Sequence, residues 1–410
     1  MRFAYVASCY TSYLEGFYAT RPLLAFEPYA TQESALARDC FGWNGCWPAA
    51  MTAAGYQARD FYVGIPALDR AWEREHGKAP DSLGPYRVAI RQLQEFAPDV
   101  VLFDHHDADF LRALRQALGN PLMLGWEGSA LGKQACWPLV DLMLSCAPES
   151  VDIIRAAGIA SEHLHHGFNP AVLEQLPLTA KSGHLAFIGQ LVRESAFHLQ
   201  REAMLVRIAD AGLPFDLYSP SHAYGGRDSL QALAKIGVYL AYQAGARLPL
   251  VSARIPRLPY AYLGARGRGM PKMPVNPRLR PHLRPACFGI AMYSRIAESS
   301  VCLNIHADSS PHYASNMRLF ETSGVGTCLL TDARHNLSGL FEADREIMVY
   351  ESVEDCIEKI GWLLAHPLEA AQIAAAGQSR TLKDHTFARR AEVLDAHIQA
   401  ALRRRHSVGK

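Results

Sequence analysis

Short apolar runs recur along the first half of this chain, separated by longer stretches with helical spacing. Residues 2–8 (RFAYVAS) fit a buried strand, and a helical region follows from Ser12 to Ala54, broken near Pro22, Pro28 and Gly42-Trp43-Asn44. Gly55 leads into YQARDFYV, a second strand. Residues 85–97 predict an amphipathic helix, DVVLFD (99–104) a strand, and 108–118 another helix. Strands are expected at 121–126 and 139–146, a helix at 148–158, and a half-buried segment at 161–168. Period-2 or wholly apolar runs alternating with helices predict βαβ units and a mostly parallel sheet.

The pattern restarts at HLAFIGQ (184–190). Helices are expected over 195–212, 227–243, 287–299, 316–323, 352–365 and 368–403, the last with breaks. Strands are expected at 214–219, 301–306, 327–331 and 346–350. The chain therefore divides into a first α/β domain (1–170), a linker (171–183) whose prolines and weak periodicity mark it, a second domain (184–385) and a terminal helix and tail (386–410). Within the second domain, 253–288 is rich in Pro, Gly and Arg and has no Asp or Glu from Ala253 to Phe288. It reads either as an irregular surface excursion or as a basic lid for an anionic acceptor or membrane surface.

Composition narrows the class without naming a chemistry. The 410 residues carry a net charge of +1, with 49% hydrophobic and 20% charged residues, so the overall field gives no reason to expect nucleic acid as a partner. The N-terminal MRFAYVASCY lacks the apolar core of a signal peptide, and no run is long enough for a membrane helix. The nine cysteines are odd in number, scattered and without a CxxC pair, which argues against a disulfide framework or zinc site and for a cytoplasmic setting.

The densest chemistry lies at 301–391. A buried strand, VCLNI, runs into a polar loop, a short helix (MRLFETS), a glycine turn at Gly324–Gly326 and a second strand. Ser315 or Asn316 is the expected N-cap, which would leave the N–H groups of Met317 and Arg318 facing the loop mouth as an anion site. Arg318 has the planar fork that suits phosphate, and Glu321 could accept from a sugar hydroxyl. The plainer alternative is a capped amphipathic helix that packs Leu319 and Phe320 into a core.

The runs SNMRLFETSGVGTCLLTD, LFEADREIMVYES and AAAGQSRTLKDHTFARR resemble the C-terminal part of the group 1 (family 4-like) glycosyltransferases of the CgeB-like branch. FIGQLVRESAFHLQRE resembles that family's first C-domain strand and helix, and residues 13–61 resemble its bacterial subset found with surface-polysaccharide genes. The resemblance implies a GT-B architecture, two Rossmann-like domains facing across a cleft, with room for the C-terminal helices to return to the first domain. It implies a transferase that uses a nucleotide-diphosphate sugar, with no metal or other cofactor. Carried over by position, Glu321 would meet the ribose, Ser315 to Arg318 the diphosphate, and Arg193 the same diphosphate. Relatives carry a second Glu eight residues before the ribose one. Tyr313 stands there instead, which weakens the case for sugar recognition and for a retaining outcome. His385, in the late KDHTFARR motif, is read as structural.

The first domain offers Asp104, His105, His106 and Asp107 at the carboxyl end of a strand, where open α/β sheets bind ligands. His105 and Asp104 are catalytic candidates, with a structural turn or a metal phosphoesterase site as alternatives. Glu127, after the next strand, is a second candidate base or else a cap. Ser8 and Tyr10 follow the first strand and could border an acceptor, while His165 and His166, facing the linker, read either as cleft residues or, more simply, as a surface pair. The expected partners are a nucleotide sugar and an acceptor glycan, lipid-linked glycan or small molecule, with peripheral membrane contact through the basic segment. A non-catalytic nucleotide-sugar binding protein of the same fold is the competing reading.

Overall fold

The computed structural model describes residues 1–104, 107–130, 134–191, 199–224 and 275–408, with isolated positions between 230 and 240. Two six-stranded sheets carry the chain. The first contains β1 (Arg2–Ser8), β2 (Gln57–Val63), β3 (Val100–Phe103), β4 (Leu122–Trp126), β5 (Leu142–Ser145) and β6 (Ser161–His163), in the order β2-β1-β3-β4-β5-β6. The second contains β7 (Leu185–Ile188), β8 (Phe215–Tyr218), β9 (Leu283–Arg284), β10 (Val301–Asn304), β11 (Cys328–Asp332) and β12 (Met348–Tyr350), in the order β12-β11-β10-β7-β8-β9. Every pairing in both sheets is parallel. β3 is apolar throughout and β10 is apolar but for Asn304, and both are fully buried, as strands covered by helices on both faces require.

Strand order marks where each sheet opens. In the second sheet it reverses between β7 and β10, and in the first between β1 and β3. A crevice opens at such a switch point, because the flanking connections leave in opposite directions.

The helix Phe387–Val408 returns to the first sheet. Phe387, Leu394 and Ile398 are buried in the same core as Phe3, Tyr5 and Trp47. The chain thus crosses between the halves twice. At the crossing the Phe168 amide donates to the His385 carbonyl at 2.8 Å, and the Phe387 amide donates to the Phe168 carbonyl at 3.0 Å. His165 and His166 lie beside this crossing. They are not a surface pair: His166 is buried against Trp43 and Trp126, and His165 is mostly buried and faces Phe320.

Gly324 sits against the same crossing. A Cβ there would fall 2.5 Å from the ring of Phe168, which is itself fully buried and has nowhere to move. Gly324→Ala is expected to destabilise the fold by about 1–3 kcal/mol through overpacking, read as a lower urea midpoint.

Other boundaries differ from the sequence expectation. The helix expected from 316 begins at Arg318, and the segment expected at 161–168 is a strand only to His163. A further helix, Pro66–His76, lies between the first-domain elements expected above and buries Leu68, Ala71 and Trp72 on one face. Most of the expected helix at 227–243, and residues 253–274 of the basic segment, lie outside the described residues. The end of that segment is not a loose excursion: Leu283 and Arg284 pair with Leu217 and Tyr218 as the sheet's edge strand.

Candidate active site

A cavity of about 450 Å³ opens at the β7/β10 switch point. Its floor comes from the strand ends, Ile188 and Gly189 after β7 and Asn304 and Ile305 after β10. The helix Arg318–Gly324 supplies Arg318 and Glu321, and the first half closes the mouth with Tyr10, Phe41 and Gly42.

Arg318 and Glu321 are one turn apart on that helix and pair at 2.9 Å, both largely buried. Burial is the largest influence on the guanidinium and by itself lowers its pKa, but the Glu321 carboxylate together with Cys302, Cys287 and Tyr293 outweighs it, so the pKa is raised. A second guanidinium N–H reaches the Ile188 carbonyl at 3.4 Å, tying the helix to the end of β7. An occupant of the cavity therefore meets a charged pair already in place.

Arg201, which sequence reasoning did not single out, is the other charged group of the wall. It rises from the helix Leu199–Asp210 and is 8% exposed. It donates to the Gln190 carbonyl at 3.1 Å and to the Ile305 carbonyl at 2.8 Å, bridging the ends of the two switch-point strands. Its Nε is buried with no partner among the described residues. Burial pulls its pKa down to about 10, and Asp308 and Asp332 only partly offset that. A buried cation satisfied mainly by neutral carbonyls favours an anion arriving beside it. The sequence signal was present: Arg201 lies eight residues after Arg193, the residue expected to bind diphosphate, which falls outside the described residues.

Asn316 does not cap the helix. The residue at the cap position is Met317, which makes no side-chain cap. The Asn316 amide instead donates to Asn304 Oδ1 at 2.8 Å and to the Ile305 carbonyl at 3.2 Å, fixing the helix start to the end of β10. Asn316 and Met317 line the cavity, whereas Ser315 is buried in the loop just before it. Beneath the floor, His306 and Asp332 meet at 2.6 Å and Arg334 reaches Asp332 at 2.6 Å. Burial would raise the Asp332 carboxyl, but His306 and Arg334 together hold it below its usual range.

The loop between β10 and the Arg318 helix is clamped from the first half. The Glu149 carboxylate accepts from the His312 amide at 3.0 Å, the Tyr313 amide at 3.2 Å and the Ser310 hydroxyl at 3.1 Å. Ser129 and Ser309 also share a hydroxyl hydrogen bond. Tyr313 thus meets a carboxylate from the opposite half through its backbone, while its ring stands edge-on to His335.

The first-half candidates separate on inspection. Asp104 accepts from Tyr5 Oη at 2.9 Å, the Ser8 amide at 3.0 Å and the Ser8 hydroxyl at 3.1 Å, so Asp104 and Ser8 tie β1 to β3. Asp107 caps the next helix through the Asp109 and Phe110 amides and accepts from Tyr86 Oη. Both carboxylates of the expected metal alternative are therefore engaged, and His105 and His106 lie outside the described residues. No cluster suited to a metal ion occurs among the described residues. Glu127 is buried, accepts from Trp137 Nε1 at 3.4 Å and does not line the cavity. Tyr10 does line it, 61% exposed at the mouth and edge-on to Phe41 and Phe288. His385 is buried at the crossing, where its Nε2 bonds the Leu340 carbonyl.

Comparison with known proteins fits this geometry. Residues 250–396 match a family described as glycosyl transferase-like. The whole fold is similar to HepE (Alr3699) of Anabaena, solved in complex with UDP-glucose, with a TM-score of 0.52 and 11% identity over 98% of this chain and 100% of that one. It is also similar to a glycosyltransferase of Rickettsia africae, with a TM-score of 0.50 and 10% identity over 98% of each chain. No curated protein matches the sequence. At such identities the structural likeness establishes the fold, the two-sheet GT-B arrangement. No described helix is long and apolar enough to cross a membrane.

Proposed function

We propose that the chain moves a sugar from a nucleotide-diphosphate donor to an acceptor hydroxyl, with the nucleotide in the switch-point cavity. The observation that carries the reading is the pair of buried guanidinium groups, Arg201 and Arg318, on the wall of one cavity, of which Arg318 and Glu321 fall within the glycosyl transferase-like match at 250–396. In the reaction the bond from the anomeric carbon to the diphosphate oxygen breaks and a bond from the acceptor oxygen forms. The acceptor proton leaves and the diphosphate departs with the bonding electrons. Fixed cations beside that oxygen stabilise the departing charge more than they stabilise the intact donor. Glu321 has a second role as acceptor for the ribose hydroxyls, with Arg318 holding it in place.

HepE is described in complex with UDP-glucose, so UDP is the first nucleotide to test here. Because guanidinium groups supply the positive charge, we expect transfer to need no divalent cation. With UDP-sugars and a pool of glycan acceptors, nucleoside diphosphate should be released at the same rate with and without EDTA. Failure to release any nucleoside diphosphate from protein that binds one would favour the binding-only reading.

A further inference from the structure

The loop 306–316, which ends on Asn316 at the cavity wall, is fixed by its own half. The His335 amide donates to the His312 carbonyl at 2.9 Å. Asn336 holds Ala314 from both sides, accepting from its amide at 2.6 Å and donating to its carbonyl at 3.1 Å. Asn316 anchors the far end on Asn304. The contacts that Glu149 makes to Ser310, His312 and Tyr313 are therefore not what shapes the loop. What they add is a hold between the halves.

The first half presents that hold from a braced edge. Glu149 lies in the first turn of the helix Pro148–Ala156, where backbone N–H groups without helical partners favour a carboxylate. Ser150, next to it, accepts from the Ala130 amide at 2.9 Å, which ties the segment of Ser129 to the same helix start. Ser129 and Glu149 thus meet the neighbouring residues Ser309 and Ser310 of the second half. Glu149 Oε1 takes both loop amides, and Oε2 faces the Ser310 hydroxyl, whose one proton it shares with the Tyr313 carbonyl. Charge-assisted bonds of this kind are strong, yet water replaces them when the halves part, so the contact is reversible. Glu149 does not line the cavity, while the first half covers the mouth with Tyr10, Phe41 and Gly42. Parting the halves moves these three residues away from the wall that carries Arg318.

We propose that Glu149 is a positioning residue that latches the two halves together over the donor. Its part in the reaction rests on the glycosyl-transfer reading above, while the latch itself does not. Closure is read on the full chain carrying Ser129→Cys and Ser309→Cys, positions whose hydroxyls are already in contact and so can be bridged. Diamide oxidation links them when the halves are together, and mass spectrometry of the linked peptide separates this bond from any made by native cysteines. Adding Glu149→Ala is expected to slow linking about fivefold or more. Glu149→Gln keeps an oxygen for both amides and should stay within about twofold of the parent rate. Saturating UDP should restore linking in Glu149→Ala, because a ligand held between closed halves favours closure. Without the added cysteines, Glu149→Ala should raise the donor KM about fivefold or more and change kcat by less than about twofold. A residue that only stabilised the fold would instead lower kcat, through loss of active protein, and leave KM alone. Linking at the parent rate in Glu149→Ala, linking that UDP does not change, or Glu149→Gln as slow as Glu149→Ala each overturns the proposal. Slower linking that UDP restores, in a protein that transfers no sugar, would leave the latch standing and defeat the transfer reading instead.

Discussion

Arg201→Met is expected to weaken UDP binding about ten- to a hundredfold while leaving the unliganded melting temperature within a few degrees. A hydrogen bond to a charged group contributes about 1.5–3 kcal/mol, and each 1.4 kcal/mol is about tenfold in affinity. The effect on the empty protein is smaller because two terms oppose each other. Methionine forfeits the bonds to the Gln190 and Ile305 carbonyls, yet it removes the desolvation cost of a cation that is 8% exposed. Calorimetry with UDP and a thermal melt without it read the two quantities separately. UDP affinity within threefold of the parent protein would remove Arg201 from the nucleotide site. A melting temperature lowered by more than about 10 °C would instead assign Arg201 to holding β7 against β10.

The second large effect is loss of stability in mild acid. Burial lowers the pKa of His165 to about 2, of His166 to about 3 and of His385 to about 4. Arg390 reinforces each shift: it donates to the His166 carbonyl at 2.7 Å and meets His385 Nδ1 at 3.0 Å. His385 must accept on that nitrogen, so protonating it would set two donors against each other. His163 is lowered as well, mainly by burial. The other charges acting on the cluster include Arg380 and Asp384, the latter favouring the protonated form of His385.

The sign follows from linkage. Folding depresses these pKa values below the unfolded value of about 6.5, so the unfolded chain binds more protons in acid. The stability is fully present above pH 6.5 and is lost as pH falls towards the folded values. Each group contributes about 1.4 kcal/mol per pH unit inside that window, so three together approach about 4 kcal/mol per unit. That is a large part of the 5–15 kcal/mol that typically holds a protein folded. Scanning calorimetry should show a flat melting temperature above pH 7 and a steep fall between pH 6 and 5. A flat profile down to pH 5 would contradict the neutral, buried state of the crossing.

Much of the architecture was legible in the sequence. The apolar runs marked the strands of both sheets because strands buried on both faces are mostly apolar, and the restart at His184 marked the second sheet. Helix edges were less legible. Ser315 and Asn316 look like caps locally, but Asn316 is drawn to Asn304, a contact twelve residues away that a local rule does not register. His165 and His166 looked polar and therefore exposed. They are buried because the terminal helix folds back over them.

The site was legible in part. Arg318, Glu321, Asn316, Met317 and Tyr10 all reach one cavity, as their positions at strand ends and helix start suggested. Asp104 and Ser8 share the strand-end position but spend their polar atoms on each other. Nothing in their spacing indicates this, because they are brought together by the pairing of β1 with β3. By itself the sequence determined the period of burial, and so the class of fold, because periodicity is a local property of the chain. Only the tertiary structure decided which charges are met by carbonyls: Arg201 is one arginine among many until folding brings the Gln190 and Ile305 carbonyls, rather than a directly paired carboxylate, against it among the described residues.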